Sequence, residues 1–379
     1  MKIFLITSTR ADFGLLKNLI FELKKSSYFD LKIIATGTHF SKKHGFSLNE
    51  IKNEKIRIYK KIIITSNINS PKFLLNDMSI ISKNISSFIK KNRPDLFVVL
   101  GDRYEILATS LAAYLAKVPI AHIHGGEITQ GSLDDGFRHC ISKMSYLHFV
   151  SHKTYKKRLI QLGENPKNIY EIGSLGVENI FKTNFLSKED LEKSLRIILK
   201  KNIMLVCLQP EITENLTKDL VNETLEALKN FNDKSIIFTM PGADLYNTII
   251  FKKIRKFVKN NSNCYLFKTL GSQKFISFLK IAKVIIGNSS SGILEMPTFN
   301  KPTINIGNRQ DGRVQPNTII NVSSKRNLIK KAIKLVFTKK NNEKKIIFNY
   351  KKIYASEKIC SILKKIHLKK YQSKKFYDI

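Results

Sequence analysis

The chain contains no tryptophan, only four cysteines and nine prolines in 379 residues, and few acids. Each scarcity excludes something. Cys140, Cys207, Cys264 and Cys360 are scattered without metal-ligand or redox spacing, so a disulfide scaffold and a zinc module are not expected. Reduced, buried thiols in a cytoplasmic protein are expected instead. No apolar run approaches the roughly 20 residues of a membrane span, so no integral membrane segment is expected. The opening Met1–Thr7 lacks a basic region and a small-residue cleavage site and reads as a first strand rather than a signal peptide. Asp and Glu number 30 against 66 Lys and Arg, a formal net charge of +36. Such an excess suggests nucleic acid as a partner. Yet the lysines are dispersed among Ile and Asn, and no aromatic–basic RNA motif, zinc knuckle or helix-turn-helix pattern accompanies them. No nucleic-acid partner is expected, and the charge serves to attract anions such as nucleotides. A GxGxxG fingerprint is also missing, which argues against a dinucleotide cofactor.

What is present is a repeated alternation of short apolar runs and helical periodicity in a chain that is 42% hydrophobic. Strands are expected at Lys2–Thr7, Leu31–Thr36, Leu96–Leu100, Ile120–Ile123, Leu147–Val150 and Ile169–Ile172. An alanine-rich helix is expected from Leu107 to Ala116. After a hinge at Gly173-Ser174-Leu175-Gly176 the rhythm restarts, with strands at Ile203–Cys207, Ser235–Met240, Tyr265–Phe267, Val284–Gly287 and Thr303–Ile306. This order predicts an α/β protein of two Rossmann-like domains with parallel sheets facing across a cleft. The expected divisions are residues 1–173, residues 174–355, and a tail 356–379. In the tail, Ile359, Ile362, Leu363 and Ile366 form an apolar helix face that docks on the body, and Lys374-Lys375 read as a solvated end.

The ionisable residues concentrate just after strands. Gly101-Asp102-Arg103-Tyr104-Glu105 follows one strand, His122-Ile123-His124-Gly125-Gly126-Glu127 closes another, and Asp134-Asp135-Gly136-Phe137-Arg138-His139 opens a helix. In parallel sheets, ligands bind outside the carboxyl ends of the strands. Asp102, Glu105, Glu127, Asp134 and Asp135 are therefore expected to crowd into one pocket, with Arg103 and Arg138 balancing their charge. His122 and His124, two apart on a strand, are expected to point the same way, and one of them to be structural. Asp134 and Asp135 also suit the positive end of a helix. A zinc site lacks characteristic spacing here. Two turns read as anion sites: Ser8-Thr9-Arg10, whose backbone N–H groups and Arg10 suit a phosphate, and Asn288-Ser289-Ser290-Ser291-Gly292 with Glu295 one turn later. For the serines, simple helix capping is the plainer alternative.

Together these segments, with Asn305-Ile306-Gly307-Asn308-Arg309-Gln310 and Gly312-Arg313 and the ending Phe376-Tyr377-Asp378, resemble the hydrolysing UDP-N-acetylglucosamine 2-epimerases of bacterial sialic-acid synthesis over nearly the whole chain. The resemblance implies a GT-B-like fold and usually a homodimer. It also implies elimination of UDP from UDP-N-acetylglucosamine to a 2-acetamidoglucal, then hydration to N-acetylmannosamine. No cofactor and no metal is implied. Carried over by motif, Asp102, Glu127 and Asp135 are the catalytic acids and bases. Arg10, Arg103, His124, Arg138, Gln209, Ser290, Ser291, Gly292, Glu295 and Arg313 form the substrate-binding set. One departure stands out. The family commonly has His-Pro after the first strand of the second domain, where this chain has Gln209-Pro210. Glutamine carries neither proton nor charge, which opens the alternative of a UDP- or GDP-linked 2,4-diacetamido-trideoxy sugar. A GT-B glycosyltransferase is the competing class, and the acid cluster favours elimination and hydration over it.

Overall fold

The structure, a computed structural model, describes residues 1–42, 45–65, 70–130, 132–242, 244–338, 354–366, 368 and 374–379. The chain divides into two compact units. One comprises Met1–Glu127, Leu133–Asn179 and Lys352–Ile379; the other Ile128–Ser132 and Ile180–Lys351.

In the first unit the order is β1 (Lys2–Thr7), α1 (Arg10–Lys25), β2 (Asp30–Ala35), α2 (Leu48–Asn53), β3 (Ile58–Lys61), α3 (Pro71–Lys91), β4 (Leu96–Leu100), α4 (Tyr104–Leu115), β5 (Ile120–Ile123), α5 (Asp134–Met144), β6 (Leu147–Val150), α6 (Lys153–Gln161) and β7 (Ile169–Glu171). The seven strands form one parallel sheet in the order β3-β2-β1-β4-β5-β6-β7. Beyond α7 (Leu175–Lys182) and α8 (Lys188–Leu195), the second unit runs β8 (Ile203–Cys207), α9 (Glu214–Leu228), β9 (Ser235–Thr239), α10 (Asn247–Lys259), β10 (Cys264–Phe267), α11 (Gly271–Ile281), β11 (Val284–Gly287), α12 (Ser290–Leu294), β12 (Thr303–Ile306), β13 (Ile319–Val322) and α13 (Arg326–Thr338). Its six-stranded sheet, β10-β9-β8-β11-β12-β13, is also parallel and repeats the same winding. Both units are Rossmann-like, and in each the strand order reverses beside the first strand, the point where doubly wound sheets bind ligands.

The strands are buried on both faces because helices cover both, so they read as unbroken apolar runs such as Leu96-Phe97-Val98-Val99-Leu100. Two of the four edge strands, β3 and β13, were not legible in that way. Ile58–Lys61 alternates half-buried and exposed residues and carries two lysines, a polar edge that resists pairing with another chain. The helix expected from Leu107 begins earlier, at Tyr104, so Glu105 lies in its first turn.

Helix α14 (Ala355–Lys365) belongs with the first unit and packs against α1. Ile359 and Leu363 are fully buried among Leu16, Leu19 and Leu23. Each such side chain contributes about 1.5–3 kcal/mol of transfer free energy. Its first turn is held by Glu178 of α7, whose Oε2 accepts from Ser356 N and Oγ, both at 2.8 Å. The solvated end expected at Lys374 is corrected: Lys374 Nζ lies 2.5 Å from Oε2 of the buried Glu164. Three cysteines are buried, and burial pushes the Cys207, Cys264 and Cys360 thiols up to about 12, while Cys140 is exposed. Among the described residues no helix is long and apolar enough to cross a membrane.

Candidate active site

At the carboxyl ends of β4 and β5, neighbouring strands that register Leu100 against Ile123, the chain delivers Asp102 and Glu127. Gly126 shapes the second approach. Its φ is +74°, and a Cβ there would meet Tyr155 O at 2.5 Å, so a side chain is excluded twice over. Arg158 Nη1 donates to the same glycine's carbonyl at 2.6 Å. Glu127 is 1% exposed. Its Oε1 accepts from Ser151 Oγ at 3.2 Å and lies 3.0 Å from His124 Nδ1, while Oε2 accepts from Arg138 Nη1 at 3.2 Å. Arg138 Nη2 pairs with Asp102 Oδ2, so one guanidinium joins both acids. Burial opposes the charge on Arg138, but Asp102, Glu127 and Asp135 outweigh it and hold its pKa above the ordinary value.

Helix α5 supplies the rest. Asp134 and Asp135 occupy its first turn, at the positive end of the helix dipole. Asp135 Oδ2 lies 3.6 Å from His139 Nε2, one turn on. The side chains of Asp102 and Asp135 retain 21% and 25% exposure, so they meet solvent while Glu127 does not.

Several expectations change here. One does not: Arg138 balances the acids, standing between two of them. Glu105 does not join them: fully buried, it pairs with Arg103, whose Nε lies 3.0 Å from Oε2, and burial raises its pKa. Arg103 is thus engaged by its own helix's first turn. His122 and His124 do not share a direction set by strand alternation, since β5 ends at Ile123 and His124 has φ +66°. His122 is the structural one. Its Nε2–H donates to Gly101 O at 2.7 Å and its Nδ1 accepts from Ser142 Oγ at 3.0 Å. Burial drives its pKa down to about 3.

The turn after β1 is also corrected. Its N–H groups do not await an external anion, because the carboxylate of Asp12 takes them: Ser8 N at 2.7 Å, Thr9 N at 2.6 Å and Phe13 N at 2.9 Å. Thr9 and Asp12 complete a capping box. Arg10, at the start of α1, is held below its usual pKa by burial, against the pull of Glu50.

In the second unit the turns after β8 and β11 are stitched together by Asn288, which is fully buried. Its Oδ1 accepts from Gln209 N at 2.7 Å, and its Nδ2 donates to Gln209 O at 2.9 Å and to Glu211 Oε1 at 2.7 Å. Gln209 Oε1 accepts from Gly242 N at 2.8 Å. Ser289 caps α12, leaving Ser290 and Ser291 half-buried in its first turn. Gly292 packs where a Cβ would meet Thr303 Cγ2 at 2.7 Å. Glu295 ends the helix, and its charge adds to burial in raising the Cys207 pKa. Arg313 donates to Ile128 O at 3.2 Å and Thr129 Oγ1 at 3.3 Å.

Two contributors escaped sequence reading. Ser151 was detectable as the first residue beyond β6, next in the sheet to β5; Asn288 looked like part of a serine-rich turn.

Fold and site define an α/β protein of two Rossmann-like halves of the GT-B-like class, with an Asp–Arg–Glu cluster at the strand ends of the first. The chain belongs to the UDP-N-acetylglucosamine 2-epimerase family, whose pattern matches residues 21–364. It is 44% identical over 322 residues to the GDP/UDP-N,N'-diacetylbacillosamine 2-epimerase (hydrolyzing) of Campylobacter jejuni, covering 84% of this chain and 83% of the relative. It is 36% identical over 335 residues to the polysialic acid biosynthesis protein P7 of Escherichia coli, covering 88% and 85%. Among solved structures, the UDP-GlcNAc 2-epimerase of Neisseria meningitidis bound to UDP-GlcNAc is similar with a TM-score of 0.78, 20% identity and 97% and 100% coverage.

Proposed function

We propose that this chain is a hydrolysing 2-epimerase acting on a nucleotide-linked 2-acetamido sugar, and that its preferred sugar is of the N,N'-diacetylbacillosamine type. The observation that carries the chemistry is Arg138 bridging Asp102 and Glu127 at adjacent strand ends. The C2 proton of such a sugar is barely acidic, so the C1–O bond breaks early and positive charge develops on the ring. A carboxylate pair with one member sealed from water suits that charge. Glu127, oriented by His124, Arg138 and Ser151, is the sealed member. Asp102 and Asp135, still in touch with solvent, are the groups best able to exchange protons during loss of the C2 hydrogen and addition of water. In the second unit, Ser290, Ser291 and Gly292 offer hydroxyl and N–H donors for the diphosphate, and Glu295 an acceptor for ribose hydroxyls.

The sugar preference rests on the name of the 44% identical relative and on Gln209. With Oε1 spent on Gly242 N, the amide NH2 is the donor end, suited to a leaving oxygen but unable to protonate it. The second reading is UDP-N-acetylglucosamine converted to N-acetylmannosamine, favoured by the relative named for polysialic acid biosynthesis.

The test is incubation in D2O with a panel of UDP- and GDP-linked N-acetylglucosamine and N,N'-diacetylbacillosamine, without any acceptor. The expected outcome is nucleoside diphosphate plus the free 2-epimeric sugar, deuterated at C2, fastest for the diacetamido substrates. Faster turnover of UDP-N-acetylglucosamine supports the second reading. Release only with an added acceptor overturns both in favour of a glycosyltransferase.

A further inference from the structure

The far end of α5 is gripped by the last described residues of the chain. Lys374 Nζ has three donors and meets three acceptors: Glu164 Oε2 at 2.5 Å, Lys143 O at 2.6 Å and Ser142 O at 3.3 Å. Two of these are carbonyls of the last turn of α5. Ser142 O also accepts from Ser145 N at 3.0 Å, and the helix dipole makes that end negative, so an ammonium there stabilises the helix. The third is a carboxylate 1% exposed, which also holds His148 Nε2 at 2.9 Å and Lys143 Nζ at 3.2 Å. The neighbouring residues fix the lysine in place. Tyr377 N donates to Gly163 O at 3.0 Å, and Lys143 Nζ lies 4.4 Å from the centre of the Phe376 ring. Gly163 leaves room for that ring: with φ +77°, its hypothetical Cβ would lie 2.4 Å from Phe376.

The same helix turn connects to the candidate acids. Ser142 Oγ donates to His122, which donates to Gly101 O, the residue preceding Asp102. One turn back along α5 lies Arg138, and at its start Asp135. We propose that residues 374–377 form a clamp on α5, and that Lys374 is a positioning residue that sets the register of Arg138 and Asp135 against Asp102 and Glu127. Without the clamp, α5 loses the cation on its last turn and Glu164 loses one of two lysines. The Arg138 bridge then samples geometries that no longer hold both acids.

The kinetic arm rests on the function proposed above; the exchange arm does not. Lys374→Met, Lys374→Arg and Gly163→Ala are compared with the unaltered chain by amide hydrogen exchange and by turnover on the panel. Lys374→Met is expected to speed exchange in residues 137–144 selectively. It should lower kcat by about 10- to 100-fold, the scale set by small misplacements of reacting groups, with KM within about twofold. Gly163→Ala, which expels Phe376, should do the same in milder form, and Lys374→Arg should restore most of the loss. Exchange in α5 that matches the unaltered chain, or that rises uniformly across the first unit, overturns the clamp, as does a loss carried by KM. Failure of the unaltered chain to turn over any sugar sinks the functional reading alone, and selective exchange in α5 then still decides the clamp.

Discussion

Glu127 and Arg138 form an ion pair, Oε2 to Nη1 at 3.2 Å, in which both side chains are almost sealed from water. Burying two charges is costly, and mutual attraction offsets that cost only if the remaining hydrogen-bonding positions are filled. Here Asp102 takes Arg138 Nη2, and His124 and Ser151 take Glu127 Oε1. Stability and chemistry thus draw on one network, and substitutions should separate the two.

Glu127→Gln is nearly isosteric and keeps one of the two acceptor oxygens that Ser151 and Arg138 use. With its oxygen toward Arg138 and its NH2 toward Ser151 Oγ, it is expected to leave nucleotide binding by calorimetry intact, with turnover lowered by about 100-fold or more, the range for a lost acid–base or electrostatic group. Retained turnover counts against the assigned role. Arg138→Met, by contrast, leaves two carboxylates without their shared cation. It is expected to cost about 3–5 kcal/mol in urea unfolding, and a loss below about 1 kcal/mol would mean the bridge is not formed.

Acid should destabilise the chain through its buried imidazoles. The folded state holds His122 near a pKa of about 3 through burial, against an ordinary 6.5. Below 6.5 the unfolded chain binds a proton that the folded one refuses. This contribution is therefore complete above 6.5 and is lost as pH falls from there toward about 3. His148, also depressed by burial, acts in the same direction. Urea midpoints measured at about pH 7 and about pH 5 should fall with acid, and less steeply in His122→Asn. A slope unchanged by that substitution rules His122 out as the source.

Gln209→His is expected to fold with a cost below about 1 kcal/mol, because imidazole Nδ1 can accept from Gly242 N in place of Oε1. Turnover of UDP-N-acetylglucosamine relative to the diacetamido substrate should rise. An unchanged ratio would remove Gln209 from the specificity argument.

Central strands were legible because burial on both faces leaves an apolar signature: β4, β5, β6, β8, β11 and β12 lie where periodicity put them. The edge strands β3 and β13 were not, since their half-exposed surface tolerates lysine or asparagine, although the edge strands β7 and β10 were. Within the candidate site, clustering after strands marked Asp102, Glu127, Asp135 and Arg138. It could not tell Glu105 from them. Glu105 follows the same strand but pairs with Arg103, a choice made by helix geometry three residues beyond Asp102. Nor could it foresee that Asp12 would occupy the donors of the first turn, because that carboxylate lies in the sequence like any helix N-terminal acid.

By itself, the sequence determined the alternation of strands and helices, the parallel sheets and the segments that fall at strand ends. These follow from local periodicity and from helices shielding both faces of each sheet. Only the tertiary structure decided the pairings: Arg138 with both Asp102 and Glu127, His122 with Gly101 and Ser142, and Lys374 with Glu164. A buried charge takes whichever partner packing brings within reach, and residues as far apart in the chain as Glu164 and Lys374 meet only once the sheet has set the distances between its loops.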